Sequence, residues 1–342
     1  MSFNPNIIFI IPIFFNLLII LFLNKICDFL NVFDLPDNVR KFHKKKIPLV
    51  GGFIFFLNFT LIILLDLYLN NSASLSLLKF FYKREIFMLI IVSLLIFAIG
   101  YYDDKSNLEP LRRLLLIILC IYLFLVFSET TRINSINIKL YDFNYKYILR
   151  EENFVFTLFC ILVLINILNF FDGINLQLIF YSILIFIYLY FKTNINLFLI
   201  LIIPLIFLGY YNYKNKLFLG DSGAYLLAFI ISIFLINSHN IGFIENSFEV
   251  FALFSLPFFD SLRIIYYRVK FKKKFYEGDY SHFHHILIQV FGLKKSEFLI
   301  CLINFLLISI VFFDYLLAII LSLILIIIAN YFSKKNKKNK KN

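Results

Sequence analysis

The sequence has no tryptophan, four cysteines, and no lysine or arginine ahead of its first apolar run. The cysteines lie singly inside apolar runs without paired spacing, which argues against a disulfide framework and against a cysteine-based zinc site. No Walker-type GxxxxGK(S/T) loop occurs, so ATP-driven chemistry is not expected. Because no basic segment precedes the first run and no small-residue cleavage site follows it, we predict that this run remains as a membrane span.

Long apolar runs dominate what is present. The 342 residues are 61% hydrophobic with a mean hydropathy of +0.87, whereas a soluble domain is roughly half apolar. A helix needs about 20 apolar residues to cross a bilayer. We therefore predict an all-α integral membrane protein, a polytopic bundle of about 10–11 transmembrane helices with cytoplasmic active-site loops. The apolar runs lie near 7–30, 51–70, 86–102, 113–128, 154–170, 177–191, 196–212, 223–238, 248–267, 297–313 and 315–332.

The net charge of +12 indicates orientation rather than a nucleic-acid partner. With the N-terminus outside and the C-terminus inside, the predicted cytoplasmic loops hold about 23 lysines and arginines and the opposite loops about 8. We predict a multi-pass protein of the bacterial cytoplasmic membrane. No internal repeat or separate soluble domain is evident, so we expect one transmembrane catalytic domain over 1–333 and a basic cytoplasmic tail over 334–342.

Five polar segments interrupt the apolar runs, and all fall on the predicted cytoplasmic side. Charged groups at membrane depth are costly and tend to mark function. Taken one at a time, several residues of these segments are explained equally well as ordinary structural or interfacial residues. Because all five segments fall on the same side of the membrane, we favour a single site. The segments are FDLPDNVRKFHKKKIPLVGG (33–52), DDKSNLEP (103–110), NILNFFDGIN (166–175), KLFLGDSGAY (216–225) and FYEGDYSHFHHIL (275–287).

Two adjacent aspartates, Asp103 and Asp104, follow an apolar run directly. The C-terminal end of a helix carries a partial negative charge, so each carboxylate is repelled there and the pair repels itself. Asp221, between two glycines, begins the eighth span, where a helix N-terminus binds anions. A magnesium ion held by Asp221 and touching a phosphate would suit this end, and the same cation would relieve the repulsion at the aspartate pair.

Further polar residues could complete such a site. Asp172 adds a carboxylate and Asn169 a neutral oxygen, in a loop so short that its flanking helices must be neighbours. Zinc binding by the histidines of segment 275–287 is disfavoured because no cysteine accompanies them. Basic and histidine side chains able to bind phosphates are Arg40, Lys41, Lys44, Arg268, His282, His284 and His285.

These motifs, in this order, resemble the polyprenyl-phosphate N-acetylhexosamine-1-phosphate transferases over nearly the whole chain. RKFHKKKIPLVGG, with His43, is more similar to the undecaprenyl-phosphate GlcNAc-1-phosphate branch than to the phospho-MurNAc-pentapeptide branch. The resemblance implies that Asp103, Asp104, Asp172 and His284 are catalytic and that Asp221, with Asn169, is at the metal. It also implies substrate binding by the basic and histidine residues named above and by His43, Asn175, Asp260 and Asp279.

The chain departs from the family pattern at three positions. The second aspartate and glycine of DGxDG are Asn175 and Leu176, and the third acidic position of DDxxD is Asn107. The four aspartates Asp103, Asp104, Asp172 and Asp221 remain, so we interpret the chain as an active enzyme with altered nucleotide or sugar contacts.

The resemblance implies a definite reaction. N-acetylhexosamine 1-phosphate would pass from a UDP-sugar to undecaprenyl phosphate, giving undecaprenyl-diphospho-sugar and UMP, with Mg²⁺ as cofactor and Mn²⁺ as an alternative. The expected partners are UDP-N-acetylhexosamine, undecaprenyl phosphate and membrane lipid, without nucleic acid, and a homodimer is compatible with the sequence. Alternatives are a phospho-MurNAc-pentapeptide donor or a rarer UDP-N-acetyl-deoxyhexosamine donor. A transporter is disfavoured because the acidic groups lie at one face and no repeat is present.

Overall fold

The structure is a computed structural model that describes residues 5–36, 45–68, 77–140, 143–272 and 282–339, with side chains from 8 to 332 of these. Over these residues the chain forms thirteen α-helices and two small antiparallel sheets. The helices are α1 Pro5–Leu21, α2 Leu23–Leu30, α3 Gly51–Tyr68, α4 Lys83–Ser106, α5 Pro110–Phe127, α6 Asn153–Phe171, α7 Gln177–Thr193, α8 Leu197–Tyr213, α9 Gly220–Ile241, α10 Ser247–Lys270, α11 Phe283–Phe291, α12 Leu293–Val311 and α13 Tyr315–Asn339.

Every predicted apolar run contains a helix, and the polytopic all-α class is confirmed. In the described part of the chain, six helices are long and apolar enough to span a membrane, or seven if α1 and α2, bent by 67°, count as one. Helices α7 and α8 are apolar but only 17 residues long. The larger count of 10–11 spans stays a prediction.

Helix α9 lies at the centre of the bundle. Of its apolar window, 89% is buried, against 22–44% for the other five candidate spans. Its neighbours are α3, α4, α6 and α7. A helix that is apolar all round is typical of such a central position. Since lipid tails are as apolar as leucine, close packing rather than hydrophobic transfer stabilises contacts of this kind in a membrane.

Glycines allow α3 and α4 to approach the start of α9 closely. A Cβ atom added to Gly100 would lie 2.3 Å from Ser222 Cα, and one added to Gly52 would lie 2.4 Å from Gly223 N. Small residues permit this backbone contact between membrane helices. The amide of Gly52 also donates to Leu219 O at 3.0 Å, so the segment before α9 is held by the main chain of α3.

Two hairpin-like sheets modify the all-α expectation. Strands β1 (Phe33–Asp34) and β2 (Ile47–Pro48) pair beside the start of α3, and β3 (Ser135–Leu140) pairs with β4 (Phe143–Ile148) between α5 and α6. The second pair lies in the polar stretch between the apolar runs 113–128 and 154–170, for which the sequence analysis predicts no separate domain. It is stabilised by the bundle, because Asn137 N donates to Ser247 Oγ and Asn246 Nδ2 donates to Lys139 O.

Candidate active site

A cavity of about 530 Å³ opens where α4, α6 and α8 end and α7 and α9 begin. It brings together polar residues from four of the five segments that the sequence places on one face. The described residues lining it are Phe33, Asp34, Leu35, Leu49, Asp103, Asp104, Lys105, Asn107, Asp172, Gly173, Ile174, Asn175, Asn212, Phe218, Leu219, Gly220 and Asp221.

Asp104 caps the N-terminus of α9 across the helix interface. Its Oδ1 accepts from Asp221 N at 2.8 Å and its Oδ2 from Ser222 N at 3.1 Å. Gly220, which begins the helix at φ +76°, has no side chain to block this approach, because an added Cβ would lie 2.6 Å from Asp104 Oδ2. The carboxylate of Asp104 therefore faces the partial positive charge of the α9 N-terminus.

Asp103 points to a different partner. Its Oδ2 accepts from Arg113 Nη1 at 3.0 Å and from Tyr225 Oη at 3.0 Å, while Oδ1 accepts from Leu108 N at 2.9 Å. The side chain is 4% exposed. Arg113 thus places a positive charge beside Asp103, and the start of α9 places a partial positive charge beside Asp104. A metal ion near this aspartate pair stays a prediction.

Asp221 and Asp172 line the same cavity. Asn169 Nδ2 donates to Asp221 Oδ1 at 2.6 Å, so the amide predicted beside the metal contacts the predicted metal ligand directly. Asp172 directly follows the end of α6. Burial, and then the charge of Asp221, raise the pKa of Asp172 to about 7. Both effects indicate negative charge that the protein has not neutralised.

These residues fit a magnesium ion better than a closed metal site. Among the described residues, no three His, Cys, Asp or Glu side chains are grouped so as to hold a metal. Magnesium takes one or two protein carboxylates and leaves its other positions to water and phosphate oxygens. Asp221 and Asp172 meet this requirement in a cavity wide enough for phosphates.

The histidine segment is anchored by Asp260 of α10. Its Oδ1 accepts from Arg263 Nη2 at 2.5 Å, its Oδ2 lies 3.3 Å from His282 Nδ1, and both oxygens accept from Phe283 N at 3.1 Å. The carboxylate therefore caps α11 at its N-terminus, where anions are stabilised. Asp260 thus fixes where the following histidines lie.

His284 reaches the loop that carries Asp172. A Cβ atom added to Gly173 would lie 2.0 Å from His284 Nε2, so the ring rests on the glycine backbone. Burial, and then the neighbouring His285 and His282, hold the pKa of His284 well below its ordinary value. The ring is neutral at pH 7 and offers one donor and one acceptor.

The remaining predicted site residues divide into two groups. Asn175 Nδ2 donates to Asn215 Oδ1 at 2.9 Å at the cavity wall. The rings of His284 and His285 are tilted by 54° with centroids 4.3 Å apart, and Arg268 is buried in α10. The other group lies outside the described residues: Arg40, Lys41, His43, Lys44 and Asp279. No contact tests the assigned role of any site residue, so these roles stay predictions.

Two of the three departures from the family pattern, Asn107 and Leu176, lie where the backbone has a positive φ. Asn107 is the left-handed C-cap of α4 at φ 50°, and its N–H donates to Asp103 O at 2.8 Å. Asparagine is among the residues that tolerate this conformation best. Leu176 also has a positive φ, 67°, where the pattern has glycine, and its N–H donates to Asn212 Oδ1 at 2.7 Å. This hydrogen bond holds the leucine in a strained conformation.

Sequence reasoning missed Arg113, Tyr225 and Arg263. Arg113 and Arg263 each pair with a predicted site aspartate, and Tyr225 donates to Asp103. Arg263 could have been found, because it follows Asp260 by three residues on one helix face. Arg113 stands on the next helix along the chain, so no helical spacing links it to Asp103.

The fold and site define a polytopic membrane protein with an acidic cavity at one end of its helix bundle. Comparison with known proteins narrows this class. Residues 86–239 match the family model for glycosyl transferase family 4. The matched part includes Asp103, Asp104, Asp172 and Asp221.

Three similar proteins carry the name undecaprenyl-phosphate alpha-N-acetylglucosaminyl 1-phosphate transferase. The one from Escherichia coli (strain K12) is 25% identical over 301 residues, which cover 84% of this chain and 77% of that protein. Those from Haemophilus influenzae and Pasteurella multocida are 32% and 30% identical over 88 residues. In these two matches the chain spans 25% of the length of each relative.

Proposed function

We propose that this protein transfers N-acetylhexosamine 1-phosphate from a UDP-sugar to undecaprenyl phosphate. An oxygen of the lipid phosphate attacks the β-phosphorus of the UDP-sugar. The bond from that phosphorus to the oxygen bridging the two phosphates breaks, and UMP leaves with the bridging oxygen. The products are undecaprenyl-diphospho-sugar and UMP. The names of the relatives support this reaction, and N-acetylglucosamine is the sugar that they favour.

One structural observation carries the proposal: Asp221 and Asp172 line a shared cavity, and the charge of Asp221 is close enough to raise the pKa of Asp172. Two carboxylates that repel each other at one cavity suit a metal-bound diphosphate better than an anion without a metal. When bound, Mg²⁺ would neutralise charge on the diphosphate, with Asp221 and Asp172 holding it and Asn169 orienting Asp221.

The residues of the chain then act by positioning. Asp104 and Asp103 fix the ends of α9 and α4 that form the cavity, and the hydrogen bonds of their oxygens to protein donors favour this role over proton removal. A phosphate with a second pKa near 6 is mostly ionised at pH 7, so the lipid phosphate needs orientation more than a base. The neutral ring of His284 is placed to donate to a phosphate oxygen beside Gly173.

An apolar groove suits the lipid acceptor. A cavity of about 390 Å³ lies between α6 and α10, and its described lining is aromatic and aliphatic, with Phe156, Phe159, Val250 and Phe254 among its residues. The basic loops predict that the acidic cavity faces the cytoplasm of a bacterial cell. A soluble nucleotide sugar and a lipid phosphate at the membrane interface would meet there.

The test is UMP release by the purified protein in detergent with magnesium, undecaprenyl phosphate and a panel of UDP-sugars. We expect lipid-dependent UMP with one sugar, lost in EDTA and in Asp221→Asn. Asp314→Asn is the matched control, because Asp314 is an exposed aspartate at the α12–α13 turn, outside the cavity. UMP release that persists in Asp221→Asn, or that needs no lipid, would contradict the proposal.

A further inference from the structure

The β3–β4 hairpin has one apolar and one polar face. Residues directly opposite in an antiparallel pair share a face, and alternate residues along a strand share it too. The register pairs Ile136 with Tyr147, Ile138 with Tyr145 and Leu140 with Phe143, which gives six apolar or aromatic residues on one side. The opposite side has Ser135, Asn137, Lys139, Asn144, Lys146 and Ile148.

The polar face and the strand backbone are held by the bundle. Lys139 Nζ lies 2.5 Å from Oε2 of Glu245, in the turn between α9 and α10. Ser135 O is 3.1 Å from Nε2 of His239, in the last turn of α9. Tyr315, at the start of α13, hydrogen-bonds Lys139 O. The hairpin is therefore fixed in orientation relative to the helices around it.

The aromatic residues of β4 stay exposed although the hairpin is anchored. Phe143, Tyr145 and Tyr147 are 59%, 50% and 45% exposed, and the first two stack with centroids 6.3 Å apart. Three adjacent exposed rings form an apolar patch of the kind that marks an interaction surface.

The surroundings of this face indicate what covers it. Ile136 lines the apolar groove between α6 and α10 together with Phe159, which is 60% exposed on α6. Tyr147 Oη donates to Glu152 Oε1 at 3.0 Å, immediately before α6 begins. The apolar face of the hairpin thus continues the surface that α6 presents to lipid, at the level where this helix enters the membrane.

The position along α6 gives the side of the membrane. Helix α6 has 19 residues, a length of about 28 Å, and the hairpin precedes it while Asp172 follows it. The hairpin therefore lies about one hydrocarbon thickness from the acidic cavity. Tyrosine is enriched at such interfaces because its ring sits at headgroup level.

We propose that the β3–β4 hairpin is a lipid anchor. Its face of Phe143, Tyr145 and Tyr147 lies on the headgroup–acyl boundary of the leaflet opposite the acidic cavity. The occupant of this surface is membrane lipid rather than a second copy of the chain, since the face is continuous with lipid-facing α6. This inference does not depend on which reaction the cavity performs.

The lack of native tryptophan makes the test direct. Tyr145→Trp and Lys146→Trp each give a protein with one fluorophore, on opposite faces of the same strand. Both are reconstituted in vesicles of phosphatidylethanolamine and phosphatidylglycerol, with and without brominated acyl chains. Acrylamide reports contact with water. Tyr147→Trp and Asn144→Trp form a second matched pair in case one variant fails to fold.

We expect Tyr145→Trp to show blue-shifted emission that brominated lipid quenches and acrylamide barely affects. Lys146→Trp should show the reverse. Equal quenching of both variants by acrylamide, without an effect of brominated lipid, would overturn the proposal. Shielding of Tyr145→Trp from both quenchers would also overturn it, since a second copy or another protein would then cover the face.

Discussion

Replacing Gly100 with alanine tests whether the contact of α4 with α9 builds the acidic cavity. The added Cβ atom would lie 2.3 Å from Ser222 Cα and 2.6 Å from Ser222 N. Ordinary contact begins near 3.4 Å, and all three close neighbours are main-chain atoms that no side-chain rotation can move. The helices must therefore separate by about 1 Å at this point.

That displacement acts on the site directly. Asp104, four residues along α4, accepts its hydrogen bonds from Asp221 N and Ser222 N, so moving α4 away lengthens both. Overpacking of this size costs about 1–3 kcal/mol of unfolding free energy, and a 1 Å misplacement of site groups costs about 100-fold in rate. We expect Gly100→Ala to release UMP about 100-fold more slowly and to unfold at a lower temperature in detergent.

Gly209→Ala is the matched control, a buried helical glycine in α8. Its added Cβ would meet only Leu176 Cδ2 at 3.4 Å and Ile179 Cγ2 at 3.5 Å, both ends of flexible side chains. We expect unchanged UMP release and an unfolding temperature that is unchanged or slightly raised, because alanine favours helix over glycine. If Gly100→Ala matched Gly209→Ala in both measurements, close backbone packing at α9 would not be what forms the site.

Three further outcomes follow from the site contacts. Arg113→Gln leaves buried Asp103 without its cation and should lower the unfolding free energy by about 3 kcal/mol. Adding Asp103→Asn to this variant should restore part of the lost unfolding free energy. If the double variant showed no recovery, the pairing of Asp103 with Arg113 would be contradicted. Because the pKa of Asp172 is raised, the folded protein binds more protons than the unfolded chain between pH 3.8 and about 7. Stability in EDTA should therefore fall as pH rises through that window, and Asp172→Asn should flatten the melting-temperature profile. Gly173→Ala should displace His284 and reduce UMP release. In a His284→Ala background, the same glycine substitution should reduce UMP release little further. If the losses of UMP release from the two substitutions were additive, contact between His284 and Gly173 would be contradicted.

The sequence predicts the helices well and the connections between them poorly. Each apolar run became a helix because a long apolar segment in lipid must satisfy its backbone hydrogen bonds internally. The break at Phe22, between α1 and α2, has no proline or glycine beside it, because the proline of this run, Pro12, lies inside α1. The β3–β4 hairpin is absent from our sequence-based expectations, although the alternation of apolar and polar residues in SINIKL and FNYKYI indicates strands.

The aspartates illustrate the same limit within the site. Their common membrane face follows from motif order and topology, which the sequence contains. Their partners do not, because a hydrogen bond such as that between Asp104 and the amide of Asp221 joins residues far apart in the chain. Electrostatic repulsion at a helix end predicts that a positive group is present, but a cation, an arginine and a helix N-terminus all satisfy it.

The four aspartates therefore fall into two pairs with different contacts. Asp103 pairs with Arg113, and Asp104 accepts hydrogen bonds from the start of α9, so these contacts join α4, α5 and α9. All four aspartates line the cavity, and Asp221 accepts a hydrogen bond from the neutral amide of Asn169. In the proposed reaction the substrate diphosphate is anionic, so Asp172 and Asp221 would repel it unless a cation lies between them. Under that proposal, the need for a metal is greatest at the place where the diphosphate would bind.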